Sequence, residues 1–194
     1  MMLSGCRKCL EHFNKDYVWE ADSKVEVVEK SPKGKGTASF SLGSPAIVLK
    51  AHNQPPLIWA LSKKKCADGS FVTFRDDKAY LHLVEMKSKL TQSAFAKATE
   101  QLEGMFLAAL AAARLLQIQS FETVDCYVAF SVDAMHPSAT ANPALLKTLV
   151  GTKTVLGDGL AWKNGEVKLP FGTIAKLHKS KRDENGNADF GTVH

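Results

Sequence analysis

The stretch Asp68-Gly69-Ser70-Phe71-Val72-Thr73-Phe74-Arg75-Asp76-Asp77-Lys78-Ala79-Tyr80-Leu81-His82-Leu83-Val84-Glu85-Met86-Lys87 decides how this chain is read. Phe71–Phe74 and Ala79–Lys87 are rich in aromatic and branched residues and flank Asp76-Asp77, the pattern of two strands joined by a turn. Leu81, Leu83, Val84 and Met86 mark the second run as a buried strand. Glu85 and Lys87 are two apart, so on a strand they share a face. Charged side chains are costly in such a place unless they are paired or bound to a metal.

Register arithmetic brings a second acid to them. A two-residue turn at Asp76-Asp77 pairs Arg75 with Lys78 and, followed down the ladder, sets Asp68 opposite Glu85. A three-residue loop through Lys78 would set Asp68 opposite Met86 instead, and a bulge would then be needed to join the acids. Directly opposed residues point to one face with Cβ atoms ~5 Å apart, and two carboxylates there repel unless something positive lies between them. A Mg²⁺ ion would serve, keeping several waters of its own. Lys87, one pleat on, faces the same cavity, where an ammonium can neutralise a phosphate oxygen.

Working outward, Ser93–Gln117 predicts a long helix rich in Ala, Leu, Glu and Gln, and Val124–Val132 a strong strand. Upstream, residues 6–20 predict an opening helix, and Lys24–Glu29, Ala38–Leu42 and Ala46–Lys50 short strands. Ser31–Gly36 and His52–Pro56 read as loops, and Leu57–Leu61 as an apolar segment of open type. Downstream, Asn142-Pro143 opens a short helix to about Val150 and Asn164-Gly165 gives a hairpin signal. Residues from Lys179 onward are polar and read as a mobile tail, 179–194, after a single domain spanning 1–178 with its core at 60–132. The order strand, strand, long helix, strand predicts an α/β fold: a mixed central β-sheet flanked by helices, the long helix crossing one face.

The 194 residues suffice for one sizeable core, and 45% apolar with 23% charged residues is ordinary for a globular domain. The longest apolar run, Met105–Ile118, is too short to span a bilayer, and the N-terminus has no apolar leader segment. Four cysteines then read as reduced thiols in a cytoplasmic protein. Cys6-Arg7-Lys8-Cys9 with His12 hints at zinc, but a closed site needs a second ligand pair and the sequence has none at comparable spacing. The net charge of +5 favours polyanions only weakly.

Lys65-Cys66-Ala67-Asp68-Gly69, then Leu81–Lys87, then Lys97-Ala98-Thr99-Glu100-Gln101-Leu102 resemble the PD-(D/E)xK phosphodiesterases, the restriction-endonuclease-like nucleases. The likeness covers residues 60–105, with Ala67 where the motif has proline. It implies a restriction-endonuclease-like core in which Asp68, Glu85 and the backbone carbonyl of Met86 bind Mg²⁺, with Mn²⁺ as substitute. It further implies Lys87 as the catalytic lysine, Gln101 as its helper on the helix, and an extra upstream acid. Glu11, Glu20 and Glu29 are candidates for that acid, with Glu29 preferred.

The activity implied is metal-dependent hydrolysis of phosphodiester bonds, in DNA first. The partner is then nucleic acid, with a homodimer or a protein partner supplying any specificity, and no membrane. Lys63, Lys64, Lys65 and Lys89 would contact the phosphate backbone, as would Lys176, His178, Lys179, Lys181 and Arg182, although such runs are commonly solvated faces. Two rivals stand: a non-catalytic module of the same fold (immunity or assembly proteins), and a basic nucleic-acid-binding protein whose acids are only fold detail.

Overall fold

The computed structural model describes residues 2–29, 35–50, 65–135 and 161–194. Among them, in chain order, are α1 (Met2–Cys9), β1 (Val18–Ala21), β2 (Lys24–Glu29), β3 (Gly36–Leu42), β4 (Ala46–Lys50), β5 (Gly69–Arg75) and β6 (Lys78–Leu90). α2 (Gln92–Leu115), β7 (Thr123–Asp133), β8 (Glu166–Lys168), β9 (Ile174–Lys181) and β10 (Ala188–Val193) follow. Seven strands form one mixed sheet in the order β1-β4-β5-β6-β7-β9-β8, in which β6, β7 and β9 are parallel. A second sheet, β10-β3-β2, covers the first.

The hairpin at the centre takes the two-residue register. Arg75 pairs with Lys78, and the ladder runs down to Gly69 opposite Val84. Asp76 and Asp77 both hold positive φ, 52° and 55°, the conformation that matches a tight turn to the twist of its strands. Aspartate tolerates this region better than branched residues do.

Strand alternation divides the core. Leu81 and Leu83 of β6, with Cys126, Val128 and Phe130 of β7, face α2, which buries Phe95, Leu102, Met105 and Phe106 on them. Each such large side chain contributes about 1.5–3 kcal/mol on burial. Val84, Met86, Tyr127 and Ala129 face the other way and pack on Val25, Val27, Ala38 and Phe40 of the small sheet. Helix α2 starts at Thr91, whose hydroxyl accepts from the Ala94 N–H at 3.2 Å. On α2, Gly104 lies against the backbone just ahead of β5: a Cβ there would sit 1.9 Å from the Lys65 carbonyl oxygen.

Several expectations change. The opening helix ends at Cys9, continues as a 3₁₀ turn at Leu10–His12, and gives way to β1, which carries Val18 into the core. β6 runs three residues past Lys87. Asn164-Gly165 does not turn a hairpin; residues 161–164 are helical, and Gly165, at φ 72°, ends them with its N–H on the Ala161 carbonyl. The polar stretch expected as a mobile tail, 179–194, supplies the last three residues of β9 and all of β10 instead. Its two ends in β10 explain it: Ala188 and Val193 are buried in the core of the small sheet while the residues between them are not. The expected Asn142–Val150 helix, the Leu57–Leu61 segment, the His52–Pro56 loop, Lys63 and Lys64 lie outside the described residues.

A helix-interior Gly→Ala change ordinarily stabilises by ~1 kcal/mol. Gly104→Ala should instead lower stability by about 1–3 kcal/mol, because α2 must move off Lys65. Thermal unfolding beside Gly5→Ala, whose Cβ meets nothing within 4 Å, checks this. A stabilised Gly104→Ala would contradict the packing described.

Candidate active site

β5 begins at Gly69 opposite Val84, so the next step back sets Asp68 opposite Glu85. Past this point β5 no longer covers the edge of β6, and the Asp68 side chain does: its Oδ2 accepts the Met86 N–H at 2.7 Å. A strand residue presents its N–H and C=O to the same edge, so the Met86 carbonyl projects beside Asp68.

Glu85 is 1% exposed. One carboxylate oxygen, Oε1, accepts from the Lys87 ammonium, its neighbour on the same strand face. The other, Oε2, is buried without a hydrogen-bond partner, alone in this among the side-chain oxygens and nitrogens of the described residues. Such an orphan is rare and calls for a ligand or a proton. Lys87 also donates to Gln101 Oε1 at 2.8 Å, and Gln101 Nε2 donates to the Cys66 carbonyl at 3.4 Å. Gln101 thus ties α2 to both sides of the site, and Gly104, three residues on, permits that approach.

From the small sheet comes Glu29, held by Arg182 Nη1 at 2.8 Å. Arg182 follows β9 directly; its side chain is 1% exposed. The carboxyl ends of β6 and β9 therefore converge on the acids, the usual ligand end of parallel strands.

Burial sets the charge state. It raises the Asp68 carboxyl to about 6, with Glu29 adding to the rise while the Met86 N–H, Lys87 and Arg182 oppose it. It raises Glu85 to about 8, with Asp68 next in strength and Lys87 opposing. Near neutrality the pair holds roughly one proton between them.

The sequence-predicted Asp68, Glu85, Met86, Lys87 and Gln101 thus meet at one place, with Glu29 beside them. Glu11 is exposed and pairs with His12, and Glu20 binds Arg7, so neither joins. Lys65 is exposed, 3.8 Å from Glu100, and Lys89 is exposed near the end of β6. Lys179 donates to the Trp162 carbonyl at 2.5 Å and His178 meets Asp125 at 2.8 Å, so these residues have structural partners. Among the described residues no three His, Cys, Asp or Glu side chains converge closely enough to hold a metal, and no helix is long and apolar enough to cross a membrane. Cys6 and Cys9 are free, buried thiols, and His12 points to solvent beside Glu11 rather than to them.

Two features escaped sequence reading. One is the role of Arg182, expected with the basic run on a solvated, phosphate-contacting face and found instead buried against Glu29. The other is a buried chain in which His82 joins Thr73 Oγ1 at 2.9 Å and the Tyr127 hydroxyl at 3.1 Å. Burial holds His82 neutral down to about 4. No family model, no curated protein and no solved structure matches this chain.

The raised Glu85 carboxyl makes a signed prediction. In the folded state it binds its proton up to about 8, against an ordinary 4.5, so stability is fully present below 4.5 and is lost as pH rises through 8. Without metal, Glu85→Gln should unfold at a higher temperature than the parent at pH 9, the gap closing toward pH 5. Calorimetry at both pH values with chelator present checks it; a gap that is equal at both would contradict the ionisation argument.

Proposed function

We propose that this chain is a metal-dependent nuclease of the restriction-endonuclease-like kind, hydrolysing phosphodiester bonds in DNA. The observation that carries the reading is the buried, half-unpartnered Glu85 carboxylate opposite Asp68 and beside Lys87. The carboxylates of Asp68 and Glu85, with the Met86 carbonyl, are all hard oxygen donors, and Mg²⁺ is commonly held by one or two carboxylates with water and phosphate completing its shell. Two side-chain donors therefore suit Mg²⁺ without a third. Bound there, Mg²⁺ supplies Lewis-acid polarisation of a phosphate oxygen.

The chain's own residues supply the rest. Asp68 is fixed by the Met86 N–H, so its remaining oxygen keeps one orientation. Lys87, tethered through Gln101, is positioned to hold an attacking water or to neutralise charge growing on the phosphoryl group. The partly closed setting strengthens both effects. A non-catalytic module of the same fold is the rival, supported by the lack of a third converging side chain among the described residues.

Two measurements separate the readings. Mg²⁺ needs ionised carboxylates, so its binding near pH 7 should release about one proton, seen by titration calorimetry in buffers of different ionisation enthalpy. No binding at millimolar Mg²⁺ or Mn²⁺ would favour the module. On plasmid, linear duplex, single-stranded DNA and RNA, Glu85→Ala and Lys87→Ala should each cut Mg²⁺-dependent cleavage by roughly 10²-fold or more while remaining folded. Full cleavage in both would remove the assignment.

A further inference from the structure

The site as proposed uses Asp68, Glu85, Lys87 and Gln101, and leaves unexplained why an arginine from the far end of the chain is buried beside it. Arg182 is engaged at each nitrogen: Nε donates to the Gly186 carbonyl at 2.5 Å, Nη1 to Glu29 Oε2 at 2.8 Å and Nη2 to the Lys35 carbonyl at 2.9 Å. Its own N–H bonds the Phe130 carbonyl of β7 at 2.7 Å. Space around it is close: a Cβ on Gly36 would sit 2.1 Å from Nη2 and 1.9 Å from the Gly186 carbonyl oxygen. Glycine is required there by approach.

Packing also fixes where Glu29 stands. A Cβ on Gly69 would lie 3.1 Å from Val27, so β2 rests directly on the start of β5. Glu29 is one pleat beyond Val27 on the same face of β2, and Asp68 is the residue next to Gly69. The Arg182–Glu29 pair therefore borders the Asp68–Glu85 pair without belonging to its converging donors.

Charge counting gives the pair a role. The cluster holds three acids (Glu29, Asp68, Glu85) and two bases (Lys87, Arg182), a surplus of one negative charge when all are ionised. Pairing alone would explain one acid with one base. The surplus is what a cation would meet.

We propose, on the metal-site reading above, that Glu29 and Arg182 are positioning residues of opposite sign. Glu29 strengthens and Arg182 restrains the pull of the Asp68–Glu85 site on a divalent cation, and the β9–β10 connection thereby sets its affinity. The effect runs through the field, since Glu29 faces the acids while Arg182 holds it in place. At separations under ~10 Å with an effective dielectric near 20–40, removing one unit charge changes affinity for a dication by at least about fivefold.

The test is Mg²⁺ binding to the whole protein by titration calorimetry at one pH, with unfolding temperature recorded for each variant. Glu29→Gln should weaken Mg²⁺ binding by about fivefold or more, and Arg182→Gln should tighten it by a similar factor. The double variant Glu29→Gln/Arg182→Gln restores the original charge and should bind within about twofold of the parent. A purely structural pair predicts otherwise: both single changes weaken binding and the double is no better. Arg182→Gln leaves the part-buried Glu29 without its guanidinium partner, so that variant can fail to fold; Glu29→Gln and the double variant then decide the matter between them. Unchanged affinity in Glu29→Gln, or a double variant as weak as the single, overturns the proposal. A parent that binds no Mg²⁺ rejects the metal site itself, and this inference with it.

Discussion

The arrangement of the molecule around its candidate site turns on a carboxylate held out of water. Glu85 sits in a central strand with one oxygen on Lys87 and the other buried without a hydrogen-bond partner. Desolvating a charge is among the largest unfavourable terms a fold can carry, and a single ammonium offsets only part of it. The remainder appears as a carboxyl that keeps its proton up to about 8. On the proposed reading, that proton is what a divalent cation would displace.

Those neighbours come from every layer. Asp68 arrives because a two-residue turn fixes the hairpin register, Lys87 because strand side chains alternate, and Gln101 because α2 can approach the segment ahead of β5 only with glycine at 104. Glu29 and Arg182 come from the second sheet and from the end of β9. Each of these placements is a packing consequence.

Much of the centre was legible in the sequence because its signals are local. The strand pair, the turn and the long helix each declare themselves by periodicity, and the register of one hairpin predicts a pairing seventeen positions apart in sequence order, Asp68 with Glu85, by counting alone. The periphery was not legible in the same way. β9 reads as polar because only one of its faces is buried, and Gly165 carries a hairpin signature while ending a helix. The three-stranded sheet pairs β10 with β3 across some 150 residues, a contact without local trace. Arg182 was misread as a surface cation for that reason: its partners Glu29, Lys35 and Gly186 meet only after both sheets have formed.

Mn²⁺ located by anomalous scattering in crystals of the whole protein tests the central claim most directly. The account predicts a peak within bonding distance of one carboxylate oxygen each from Asp68 and Glu85, with Lys87 moved from Glu85 but still on Gln101. Crystals grown in millimolar Mn²⁺ that show no peak there, with the Glu85–Lys87 pair intact, would contradict it.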